Sequence, residues 1–118
     1  MIYVIDDDEI MAECMARACR GAEKEVKVFT DAITAMGEIA GGEMPQLIFL
    51  DILLTGPDGF TFLNELVSYA DTGAVPVVVV SSLDLTGEDL SAYNVVGVLS
   101  KEKMTPQEVR SYAEEYAG

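Results

Sequence analysis

Five short apolar runs, separated by helical patterns and turns, set the strongest limit on how this chain can fold. They are "IYVI" (2–5), "EVKVF" (25–29), "QLIFL" (46–50), "VPVVVV" (75–80) and "VVGVL" (95–99). A run that is apolar throughout suits a strand buried on both faces, as in a parallel sheet covered by helices. "EVKVF" alternates instead, which suits a strand nearer an edge. The four consecutive valines at 77–80 disfavour helix, because a branched Cβ is stiff and packs well on a pleated surface.

Between the runs the spacing becomes helical. Ile10, Met11, Cys14, Met15 and Ala18 recur at helical intervals, and Gly21 can end that helix. "DAITAMGEIAGG" (31–42) reads as a helix closed by two glycines, and "GFTFLNELVSYA" (59–70) carries Phe60, Leu63, Leu66 and Val67 on one stripe. At "TPQEVRSYAEEYA" (105–117), Thr105 can cap, Pro106 suits the first helical position and Glu108 completes a capping box. Between the fourth and fifth strands, "SLDLTGEDLSAYN" (82–94) is poorly amphipathic and interrupted by Gly87, so the fourth helix of the fold is expected to be short or mobile. Strands alternating with helices predict an α/β fold with a parallel sheet. The length of 118 residues suits one domain over 1–118 with one core.

Charge narrows the function. Twenty-one acids against 7 bases leave a formal net charge of −14, which argues against binding nucleic acid phosphates or anionic membranes. A hard cation or a basic protein surface remains compatible. The longest strongly apolar stretch, 74–80, is too short to span a bilayer, and Met1 leads into "IYVI" without the basic start of a secretory signal. Cys14 and Cys19 point to different sides of their helix, which predicts free thiols in a reduced, cytoplasmic protein. The chain has no histidine, so histidine-based metal sites and acid–base chemistry are excluded.

Parallel strands gather whatever follows them at one edge of the sheet. Asp6 and Asp7 follow the first strand, Asp51 the third, Ser81 and Ser82 the fourth, and Ser100 and Lys101 the fifth. Any one of these could be a helix cap or a solvated charge; their recurrence at one end of four strands argues for a site. Carboxylates crowded about 4 Å apart repel by roughly 4 kcal/mol at an effective dielectric of 20. A hard divalent ion with oxygen ligands relieves that repulsion, with Mg²⁺ ahead of zinc. A lysine and a hydroxyl can hold phosphate oxygens, and a carboxylate can attack phosphorus. Asp8 and Glu9 have a different role, placing negative charge at the positive end of the first helix.

The set resembles the receiver domain of two-component response regulators along the whole chain. The resemblance rests on "VIDDDE" (4–9), "LIFLDILLTGPDGF" (47–60), "VPVVVVSS" (75–82) and "SK" (100–101), in that order and spacing. It implies a doubly wound, flavodoxin-like sheet with strand order 2-1-3-4-5 and helices on both faces. It implies Asp51 as phosphoacceptor for a sensor histidine kinase or phosphotransfer protein. Mg²⁺ would be held by Asp6, Asp7, Asp51 and the carbonyl of Leu53, with Ser81 and Lys101 assisting. Asp58-Gly59 matches the turn into the third helix. Two positions depart from the pattern. Glu102 replaces the proline that often follows the lysine, and Val98 replaces an aromatic switch residue, which rules out an aromatic rotamer switch there. With no effector domain in these residues, a stand-alone, chemotaxis-regulator-like protein relaying its signal by protein contact is expected. The resemblance also implies that Leu53 and Leu83 flank the approach of water to the phosphoryl group; leucines cannot hydrogen-bond it, so self-dephosphorylation is expected to be slow.

Other readings fit less well. "DDDEI" superficially matches the D-x-D motif of haloacid-dehalogenase-type phosphatases, but Ile10 is a poor match and no later acidic metal motif is present. A flavodoxin would need a Ser/Thr/Gly-rich phosphate loop where this chain is acidic. A receiver-like interaction module working without phosphorylation is the runner-up.

Overall fold

The computed structural model describes residues 1–54, 58–82 and 90–117. The elements follow as β1 (Ile2–Ile5), α1 (Glu9–Gly21), β2 (Val26–Phe29), α2 (Ala32–Ala40), β3 (Leu47–Asp51), α3 (Gly59–Val67), α4 (Ala70–Gly73), β4 (Val77–Ser81), β5 (Val95–Ser100) and α5 (Pro106–Tyr116). The strands form one parallel sheet in the order β2-β1-β3-β4-β5. The chain winds outward from β1 to β2, then crosses back to β3 and continues the other way. That reversal opens a crevice beyond the carboxyl ends of β1 and β3.

Strand alternation divides the core between two faces. Tyr3, Ile5, Ile48, Leu50, Val77 and Val79 point to one side, where Ala35 and Ile39 of α2 and Phe62, Leu63 and Leu66 of α3 cover them. Ile2, Val4, Leu47, Phe49, Val78 and Val80 point to the other, beneath Ala12 and Met15 of α1 and Val109 and Ala113 of α5. Each fully buried Leu, Ile, Val or Phe side chain contributes about 1.5–3 kcal/mol of burial, so these two layers supply most of the driving force. The alternating run "EVKVF" supplies the edge strand β2, in which Phe29 is buried, Val26 and Lys27 are partly buried and Val28 is exposed.

Helix starts follow the local signals. Asp8 caps α1 by accepting from the N–H groups of Ile10 and Met11, Asp31 caps α2 through Thr34, and Asp58 caps α3 through Thr61. At α5 both halves of the capping box between Thr105 and Glu108 are formed; a threonine cap contributes about 1 kcal/mol. Cys14 and Cys19 are free thiols. The helical pattern over 59–70 is cut short. The third helix ends at Val67, and a separate turn, α4, begins at Ala70. Tyr69 is extended between them, and the hydroxyl of buried Thr72 donates back to the Leu66 carbonyl, which closes the end of α3. The expected helix within 82–94 falls mostly on residues 83–89 and so lies outside the described residues.

Glycine has opposite meanings at two positions. A Cβ at Gly59 would lie 2.6 Å from Ile52 Cα and 2.8 Å from the Asp51 carbonyl oxygen. The start of α3 therefore presses directly on the end of β3, and the Gly59 N–H donates to the Ile52 carbonyl at 3.0 Å. A Cβ at Gly37, inside α2, would meet nothing within 4 Å. Gly59→Ala should lower stability by about 1–3 kcal/mol, since backbone cannot yield as a flexible side chain can. Gly37→Ala should raise it by up to about 1 kcal/mol through helix propensity alone. Urea unfolding measures both, and a Gly59→Ala protein as stable as the parent would contradict the close packing of α3 on β3.

Candidate functional site

Four strand ends, those of β1, β3, β4 and β5, meet in the crevice. Asp6 continues β1 and donates its N–H to the Phe29 carbonyl at 3.0 Å, which keeps it in register beyond the strand. Asp51 is the last residue of β3 and is paired in register with Val80 of β4. Ser81 ends β4 opposite Ser100, and its carbonyl accepts from the Lys101 N–H at 3.0 Å. Parallel pairing thus brings together residues that the chain scatters from 6 to 101. Asp6, Asp51 and Ser81 are buried, while Asp7 and Lys101 are half-buried.

The site is built around one cation. Lys101 Nζ lies 3.1 Å from Asp51 Oδ2 and 3.2 Å from Asp6 Oδ2. The first contact is a hydrogen bond; Lys101 also donates to Asp6 Oδ1, at 3.4 Å. The contact to Asp6 Oδ2 is close in charge but lacks hydrogen-bond geometry, so this buried oxygen is left without a hydrogen-bond partner. The other oxygens are held by the backbone. The Asp8 N–H donates to Asp6 Oδ1 at 2.9 Å and the Leu53 N–H to Asp51 Oδ1 at 3.0 Å. Leu53 itself sits two residues past Asp51 with its side chain half exposed.

Burial pushes the Asp6 carboxyl up to about 6 from its ordinary 3.8. The Asp8 N–H opposes that rise, the charge of Asp51 adds to it, and Lys101 opposes it. For Lys101, burial works against the charge, but the hydrogen bond to Asp51 and the two carboxylate charges outweigh it and raise the pKa. Asp6, Asp7 and Asp51 each offer a carboxylate oxygen within 4.8 Å of the others. An all-oxygen donor set with one buried, unsatisfied carboxylate oxygen fits a hard divalent cation.

Asp6, Asp7, Asp51, Ser81 and Lys101, expected at one edge from the chain pattern, lie at the crevice, as does Leu53, which the family resemblance added. The pairing of Lys101 with both Asp6 and Asp51 is a product of the tertiary structure. No local signal encodes it, because it links residues 95 positions apart. Leu83 lies outside the described residues.

Comparison with known proteins gives the family and the fold. Residues 2–114 match the response regulator receiver domain family. Response regulator PleD of Caulobacter vibrioides is 32% identical over 87 residues, covering 74% of this chain and 19% of PleD. The chain therefore spans about a fifth of that protein's length. Protein Rrf1 of Nitratidesulfovibrio vulgaris is 30% identical over 100 residues, covering 85% of this chain and 70% of Rrf1. The crystal structure of the receiver domain of NtrX from Brucella abortus has the same fold, with a TM-score of 0.81 at 24% identity over 98% of each chain.

The burial of Asp6 has a measurable consequence. Unfolded, its carboxyl loses its proton near 3.8; folded, it holds it to about 6. The folded state therefore binds the extra proton between these values. Stability of the metal-free protein should fall as pH rises through this window and level off above it. Asp6→Asn should abolish that slope and, at neutral pH in chelator, unfold in urea with roughly 1–3 kcal/mol more stability than the parent. An unchanged slope would place the penalty on another group.

Proposed function

We propose a phosphoacceptor role for this chain, which belongs to the response regulator receiver domain family. In this reading Asp51 takes a phosphoryl group from the histidine of a sensor histidine kinase or phosphotransfer protein. An Asp51 oxygen forms the new P–O bond while the P–N bond of the phosphohistidine breaks and the imidazole leaves. Water later cleaves the acyl phosphate, returning the carboxylate and inorganic phosphate.

The observation that carries the reading is the contact of Lys101 with buried Asp51 at 3.1 Å. A positioned ammonium stabilises the charge that gathers on phosphoryl oxygens in a partly buried site. The Ser81 hydroxyl, at the end of the neighbouring strand, holds another of those oxygens. Asp6, Asp7 and Asp51, with the Leu53 carbonyl, are the residues that would hold Mg²⁺. When bound, the ion neutralises oxygen charge during transfer. The net charge of −14 disfavours nucleic acid and anionic membranes as partners, which leaves relay by contact with a protein in the cytoplasm as the proposed route. No helix among the described residues is long and apolar enough to cross a membrane.

A second reading, an interaction module that works without phosphorylation, draws support from Val98. It is 49% exposed on β5, where an aromatic switch residue would otherwise stand. Intact-mass analysis separates the two. Incubation with a small phosphodonor and Mg²⁺ should add one phosphoryl group, lost in Asp51→Asn and in chelator. Mg²⁺ should also raise the melting temperature, by an amount equivalent to about 2.7 kcal/mol at 100 Kd, and much less in Asp7→Ala. Full labelling of Asp51→Asn would overturn the assignment, and no labelling of the parent would favour the interaction module.

Leu53 bears on the lifetime of the phosphorylated state. Its side chain can shield phosphorus but cannot orient a water for in-line attack. Loss of phosphate from the purified phosphoprotein should therefore accelerate several-fold in Leu53→Asn, followed by mass or radiolabel decay. Equal decay rates would show that backbone groups alone place the water.

A further inference from the structure

We infer that the groove between α2 and the α3–α4 segment docks an amphipathic α-helix of a partner protein that carries basic residues along its flank. Two cavities of about 330 and 300 Å³ run end to end here, sharing Met36 and Ala40 as common walls. Ile33, Gly37 and Phe62 line the first, and Met44 and Tyr69 the second. Ile33 is 68% exposed and Tyr69 63%, so the chain leaves this apolar strip open to solvent. The groove lies along one flank of the sheet's α2–α3 face, formed by different elements from the Asp51 crevice.

Gly37 indicates what kind of occupant fits. A glycine inside a helix costs roughly 0.8–1 kcal/mol against alanine. Nothing among the described residues requires one there: a Cβ would meet open space, and the left-handed region among the described glycines is used by Gly42 instead. A backbone arriving from outside would make use of the missing Cβ. Gly37 and Ala40, three residues apart, form a low point on which a second helix can pack closely. The nine residues of α2 span about 13 Å, room for two to three turns of such a helix.

Charge selects among occupants. Among the described residues, the charged side chains lining the two cavities are Glu65 and Asp71, with no lysine or arginine. A second copy of this chain would bring another net charge of −14 to an acidic rim, and an anionic membrane would be repelled in the same way. A helix with an apolar stripe and lysine or arginine beside it satisfies both the groove and its rim. This inference does not rest on the chemistry of Asp51, and the Asp51→Asn protein should bind equally well.

The probe is a fluorescein-labelled leucine/lysine amphipathic peptide of about 14 residues, roughly four turns, titrated into the full chain at near-physiological salt. A leucine/glutamate peptide of the same pattern is the comparison. We expect the basic peptide to bind, with amide shifts concentrated over residues 32–44 and 61–72, and the acidic one to show no binding. Gly37→Leu fills the groove without changing charge or straining α2, and should weaken binding by roughly tenfold or more. Glu65→Lys, on an exposed residue, should weaken it as well. Binding that survives Gly37→Leu, shifts spread over the whole acidic surface, or self-association of the chain through residues 32–44 would each overturn the proposal.

Discussion

A single ammonium group separates two buried carboxylates at the centre of this molecule. Lys101 stands 3.1 Å from Asp51 and 3.2 Å from Asp6, and both acids are almost fully removed from solvent. Without it, like charges would face each other in a low-dielectric crevice, where their repulsion is several times larger than in water. The contact also ties the ends of three strands, β1, β3 and β5, into one structure. It can form only because the sheet is parallel, so that these three ends share an edge.

The compensation is incomplete. Asp6 keeps an unsatisfied buried oxygen and a raised proton affinity even beside the lysine. A fold optimised for stability alone would replace such a cluster with apolar side chains, which often match or exceed a buried ion pair. The proposed binding of a cation and of phosphoryl oxygens would give these groups the partners they lack. The rigid apolar strands behind the cluster, together with the tight seat of Gly59 on the end of β3, keep the cluster in place.

The two faces of the sheet are not equivalent. The α1 and α5 helices pack along each other, whereas α2 and α3 meet sparsely. On the second face the strands are covered, but the helices leave a groove between them with Ile33, Met36 and Gly37 on its wall. Small residues that elsewhere permit close packing are here left facing solvent. The asymmetry separates a chemical edge from an apolar flank on one small domain, so each can be altered without directly touching the other.

Much of this molecule was legible in the linear chain because the signals involved are local. Period-two and fully apolar runs mark strands, helical spacing marks α1, α2, α3 and α5, and side-chain caps at Asp8 and Thr105 mark where helices begin. Polar residues following apolar strands foretold the crevice, since parallel strands can deliver their ends to only one edge. Tertiary structure decided what depends on distance between remote segments. It split 59–70 into α3 and α4 through the bond from Thr72 to the Leu66 carbonyl. It gave Lys101 two partners rather than one, and through burial it made Asp6 hold its proton to about 6. It also set the spacing that leaves Gly37 facing open space. Periodicity tells which side of a helix turns inward, but it carries no information on how far apart two helices will stand. Proton affinity likewise follows from solvent exclusion and charge pairing, which exist only once the chain has closed around the site.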